Sequence, residues 1–166
     1  MSASTAKKVL VDRYDRSLLR GYVQPQTCRT PDGLEVMSPE GAVSIIPYLQ
    51  IKCVSFVRDF DGPSVLGERR EYLARPKSAG LWIEFQFQDG DCLESTISNN
   101  MMEMEPEGLF ATPPENAGNA QRIFVPRAGL KGVQVLGVVG KPKPRRERQA
   151  TASPKQFRLF SDAENG

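Results

Sequence analysis

The feature that most constrains this chain is that it spells one β-rich pattern twice. Val9-Leu10-Val11, the turn at Asp15-Arg16 and the run Leu18 to Val23 return about 74 residues later. Their counterparts are Ile83-Glu84-Phe85, Asp89-Gly90 and Cys92 to Ile97. Ile45-Ile46-Pro47-Tyr48-Leu49-Gln50-Ile51-Lys52-Cys53-Val54 is echoed by Phe124-Val125-Pro126-Arg127-Ala128-Gly129-Leu130-Lys131-Gly132-Val133. An apolar pair, a proline, three residues, Ile or Leu, a lysine, one residue and a valine recur in register. The offset grows from 74 to 75 to 79, so the length differences fall between matched blocks, where loops belong.

Each copy is about 55 to 60 residues, near the lower limit for a self-sufficient core, so the copies are expected to pack together. Strand signals dominate. Ile83, Phe85 and Phe87 alternate with Glu84, Gln86 and Gln88, the period of a half-buried strand. Asp89-Gly90 is a hairpin turn, since glycine accepts positive φ without strain. Leu34 to Met37 matches Leu109 to Ala111, and Val43 to Ile46 matches Arg122 to Val125. Both of the latter strands stop at a proline, which cannot donate to a ladder. Ile51 to Val57 and Leu130 to Val139 close the units. The only helix-like stretch is Ser64 to Leu73, between the copies. The resulting expectation is an all-β fold of two repeated five-stranded small barrels or half-barrels. Its segments are a flexible 1–6, a first unit over 7–57, a connector over 58–80, a second unit over 81–140 and a disordered basic tail over 141–166. In that tail, prolines and charges from Lys141 to Arg148 oppose core burial.

The order of strand, Asp-Gly turn, returning strand, short strand, strand ending in apolar-Pro, three-residue turn and Ile/Leu-Lys-x-Val resembles Sm-like small β-barrels. It is most similar to an uncharacterised bacterial family whose members carry two such units joined by a segment like Phe56-Val57-Arg58-Asp59-Phe60. The likeness covers roughly 7–138. It implies a fold but brings no assigned reaction. Sm-like proteins commonly bind RNA, yet Tyr48 and Arg127, after the strand-ending prolines, do not reproduce a basic His-containing signature, so no RNA-binding residues carry over.

Composition narrows the function classes. The chain has no histidine, which removes Ser-His and Cys-His activation and the commonest metal ligand. The three cysteines, Cys28, Cys53 and Cys92, lack metal spacing and fit packed thiols in a reducing compartment. No run is apolar enough to cross a bilayer and no signal-peptide pattern opens the chain, so a cytoplasmic location without membrane contact is expected. Glu103, Glu105 and Glu107 read as a solvated face rather than a cation site. A convergence of Asp12, Asp15, Glu35 and Arg20 is the arrangement an enzyme would require. A cyclic-dinucleotide receptor of the PilZ type would need its Arg-rich element near Arg69-Arg70 to Arg75 and its second motif near Asp91 or Ser95, and neither spacing fits. The expectation is a protein without catalysis, cofactor or metal. Residues 81–140 carry 3 basic and 8 acidic side chains, which disfavours phosphate binding by the body and favours a protein or peptide partner.

The tail carries the sharpest motif. Gln156-Phe157-Arg158-Leu159-Phe160 resembles the peptide by which bacterial proteins dock on the DNA sliding clamp. Leu159 and Phe160 would fill an apolar pocket and the Gln156 amide would bond at its rim, with Phe157 standing where such peptides usually carry Leu. The alternative is that the motif folds back on the barrels. Lys141, Lys143, Arg145, Arg146 and Arg148 are candidate phosphate contacts, the one route expected for nucleic acid. The reading is thus a binding or adaptor protein, with Sm-like RNA binding and a nucleotide-messenger receptor as alternatives.

Overall fold

A computed structural model describes residues 5–140. Ten strands form two sheets: β1 (Lys7–Arg13), β2 (Leu18–Val23), β3 (Leu34–Met37), β4 (Val43–Ile46), β5 (Ile51–Val57), β6 (Gly80–Phe87), β7 (Cys92–Ile97), β8 (Gly108–Ala111), β9 (Ala120–Pro126) and β10 (Leu130–Val139). The larger sheet runs β4-β3-β2-β1-β5-β9-β8, and the smaller runs β10-β6-β7. Every named ladder is antiparallel.

The ladders of the two halves pair corresponding residues. Val9 faces Gly21 and Ile83 faces Ser95, with both partners displaced by 74. Val11 faces Val54 where Phe85 faces Val133, and Glu35 faces Ile45 where Phe110 faces Phe124. Tyr22 meets Met37, and Thr96 meets Thr112. A short 3-10 turn follows each strand-ending proline, at Tyr48–Gln50 and Arg127–Gly129. The halves join where β5 pairs with β9, placing Val54 opposite Phe124, Ser55 opposite Ile123 and Phe56 opposite Arg122.

Alternation along the strands at this seam sends side chains into two cores. Leu10, Cys53 and Val57 join Ile83, Phe85, Phe87, Leu93, Ile123 and Val125 on one face of the large sheet. Val9, Val11 and Val54 join Val23, Leu34, Val36, Ile46 and Phe124 on the other. Each core therefore contains side chains from both halves. A strand flanked on both faces reads as an unbroken apolar run, which is why Val9-Leu10-Val11 shows no polar alternation. Tyr14 extends the seam by donating its hydroxyl hydrogen to the Gly129 carbonyl.

Two sequence expectations need correction. Ser64 to Leu73 is not a helix: only Val65–Gly67 makes a 3-10 turn. Its amides look outward to strand side chains, Val65 N–H donating to Ser55 Oγ (3.0 Å) and Tyr72 N–H to Glu94 Oε2 (3.1 Å). Cys92 is exposed rather than packed, because the inward side of β7 is taken by Leu93, Ser95 and Ile97. Cys28 and Cys53 are buried as expected.

Candidate interaction surface

Four strands end a sheet among the described residues: β7 and β8 meet through the Thr96–Thr112 bridge, whereas β4 and β10 have one unpaired edge each. β4 bonds only β3, and β10 bonds only β6, so each leaves a row of backbone donors and acceptors open. The side chains beside these edges are apolar and exposed: Val43 and Ile45 on β4, and Val133, Val135, Leu136 and Val138 on β10. Arg75 reaches the far end of β10, where its guanidinium donates to the Val138 carbonyl. Solvent-facing Val, Ile and Leu next to open backbone is the arrangement to which another strand adds.

A second feature lies across the β5–β9 seam. The Arg29 and Arg122 guanidinium carbons stand 4.9 and 4.3 Å from the centroid of the Phe110 ring. Phe124 lies 5.0 Å and Phe56 6.2 Å from it, between centroids. Lys7, Gln121 and Met102 rim the same shallow pocket. Glu105 pairs with Arg29 at 3.3 Å, which offsets part of the local positive charge. The flat cations use the ring faces, an attraction that strengthens when water is excluded.

A third cluster stitches the halves together. Lys52, nearly buried on β5, reaches the β6–β7 turn, bonding Asp89 at 2.5 Å and also Asp91. Its ammonium lies 5.3 Å from the centroid of the Phe87 ring. Desolvation alone would lower the Lys52 pKa, but the two carboxylates outweigh it and the net shift is upward. Asp91 is held below the usual carboxylate range, first by its bond to Lys52 and then by nearby Arg70. Asp12 goes the other way: burial pushes its carboxyl up, against a bond to Ser64 and the fields of Lys52 and Arg70. Its Oδ2 has no hydrogen-bond partner among the described residues.

The groups considered from sequence disperse. Asp15 turns back to Ser17 and Arg13, Arg20 pairs with Asp61 at 3.5 Å, and Glu35 points to solvent from β3, so they do not converge with Asp12. Glu103 accepts from Asn100 in a 3-10 turn, while Glu105 holds Arg29. Arg69 pairs with Glu115 and Arg70 with Asp91, away from Arg75. Burial raises the Cys53 thiol well above its ordinary value and raises that of Cys28, while partial desolvation and the Glu84 carboxylate raise that of Cys92. None of the three is an activated thiolate. The open edges follow from the strand order, which no local pattern states. The Arg29–Phe110–Arg122 stack joins residues from three elements and leaves no spacing signal.

The model of a family of unknown function, DUF6982, matches residues 5–137. The chain belongs to this family. The DUF6982 match takes in both halves and ends before the basic segment. No curated protein matches the chain, and no solved structure does. On this DUF6982 chain, the tail residues Gln156, Phe157, Leu159 and Phe160, with Lys141, Lys143, Arg145, Arg146 and Arg148, lie outside the described residues. No helix among the described residues is long and apolar enough to cross a membrane.

Proposed function

We propose that this protein works by binding, as an adaptor of the cytoplasm built from two Sm-like units, and that its body holds protein partners along open strand edges. The observation that carries this is the exposed apolar side chains flanking unpaired backbone on β4 and β10. Such an edge recruits a strand through main-chain bonds, while alternate side chains set specificity. The tail supplies a second contact: Gln156, Phe157, Leu159 and Phe160 dock in a partner groove, with the sliding clamp as the best-matched candidate. Burying Leu159 and Phe160 would contribute roughly 1.5–3 kcal/mol each, reduced by the freedom that any association costs.

A photo-crosslinking side chain at Val135, in the full chain in cells, tests the edge. Adducts of added protein mass are expected. Adducts with nucleic acid alone, or none, would remove the reading. The Arg29–Phe110–Arg122 stack favours a second reading, in which the body takes a nucleic acid or a nucleotide. RNA binding that survives deletion of 141–166 and is lost in Arg122→Ala would establish that reading instead.

A further inference from the structure

The β5–β9 seam inside the chain shows how the two open edges fit each other. β10 stands to the second half as β5 stands to the first, and β4 stands to the first half as β9 stands to the second. Moving the seam by 79 residues in each direction turns Val54–Phe124 into Val133–Ile45. Ser55–Ile123 becomes Gln134–Ser44, and Phe56–Arg122 becomes Val135–Val43. The transposed pairs match in character: two aliphatic pairs share one face and a polar pair lies between them. All four aliphatic side chains are now in water, with Val43 62%, Ile45 48%, Val133 40% and Val135 58% exposed. Of their counterparts in the internal seam, Val54 and Phe124 are buried, Phe56 is half-buried and Arg122 is exposed.

Within one chain the two edges do not pair, since β4 and β10 are terminal strands of different sheets. We infer that β10 of one chain pairs antiparallel with β4 of a second copy, continuing head to tail the seam already made between the halves. This rests on reading the edges as pairing surfaces and names their occupant. The contact is heterologous, so repetition gives a closed ring or an open filament, depending on the rotation per chain. It is weaker than the internal seam. Ile123 and Cys53 bury apolar surface on the second face there, whereas Ser44 and Gly132 occupy the matching places here.

Sedimentation of the full chain over a concentration series, up to about 100 μM, tests this in the range of modest interfaces. Mass should rise with concentration. Val43→Lys with Ile45→Lys closes the β4 edge, and Val133→Lys with Val135→Lys closes the β10 edge. Each variant alone should stay at the monomer mass. Mixed, they should form a one-to-one dimer and grow no further, because each supplies the edge the other lacks. A parent that remains monomeric, a β4-closed variant that self-associates, or a mixture that does not dimerise would overturn the proposal. So would a chain that assembles only after residues 141–166 are removed, since the tail would then be the occupant. If the lysines disturb folding, a second route avoids them: on a Cys92→Ser background, Val43→Cys chains mixed with Val135→Cys chains should form a disulfide-linked dimer. A rate no greater than that of Leu49→Cys with Val135→Cys would count against the pairing. Protein adducts at Val135 beside a monomeric parent would sink self-pairing and leave the edge reading intact. No protein adduct at Val135 would sink both.

Discussion

Arg16 closes the β1–β2 turn with φ at 67°, while Gly90, at the matching place in the β6–β7 turn, has φ at 91°. An L-residue in this left-handed region carries a steric cost that glycine avoids, partly offset by the greater freedom glycine loses on folding. Arg16→Gly should therefore raise stability by about 0.5–1 kcal/mol, read as a higher urea midpoint at unchanged slope. Asp12 offers a pH test. Burial raises its folded pKa above the unfolded value, so the fold favours the protonated form. Its contribution is fully present at low pH and is lost as pH rises from the unfolded pKa through the folded one. Asp12→Asn should thus stabilise the protein near neutrality, with a gain that vanishes on acidification. Asp91 runs oppositely, its lowered pKa adding stability that disappears as pH falls through the folded value. Urea midpoints of parent and Asp12→Asn between about pH 2 and pH 8 separate the two carboxylates, since Asp91 acts below the ordinary carboxylate pKa and Asp12 above it, and a gain independent of pH would contradict the burial account.

Strands show why the halves are alike without being interchangeable. Gly21 on β2 lies so close to β3 that an added Cβ would overlap Val36 Cγ1 and sit 2.7 Å from the Met37 carbonyl oxygen. The corresponding position on β7 is Ser95, whose side chain is accommodated. Gly21→Ala should cost about 1–3 kcal/mol by forcing β3 away, whereas Ser95→Ala should cost less, a contrast that thermal melts can read. Much of the strand plan was legible in advance. The Ile83-Phe85-Phe87 alternation, the proline-ended strands and the drifting offset reflect local rules of pleat, turn and ladder. The connector was not legible, because Val65 and Leu66 imitate a helical stripe while Ser55 and Glu94, from distant strands, capture its amides. Likewise Lys52 meets Asp89 and Asp91 only after β5 crosses the β6–β7 turn. A lysine in a repeated strand motif gives no hint of partners 37 and 39 residues away.

For the whole molecule, the shared cores bear most directly on cooperativity. Phe124 belongs to β9 in the second half, yet its ring packs with Val9, Val11, Leu34 and Val36 of the first. Leu10 and Cys53 of the first half pack with Phe85 and Phe87 of the second. With side chains exchanged in both directions, neither half keeps an intact core if the other opens. Unfolding should then be a single transition. Trp82, the sole tryptophan, sits on β6 and reports on the second half, while hydrogen exchange at β2 and β3 amides reports on the first. Phe124→Ala should cost about 3–5 kcal/mol through the cavity it leaves. That loss should appear equally in Trp82 fluorescence and in the exchange of the most protected β2 and β3 amides, since both measure the same global opening. If Phe124→Ala loosened β2 and β3 while Trp82 kept its parental midpoint, the halves would be separable units merely touching along β5 and β9. Coincident shifts would mean that the seam is part of the core, and that opening either half exposes both.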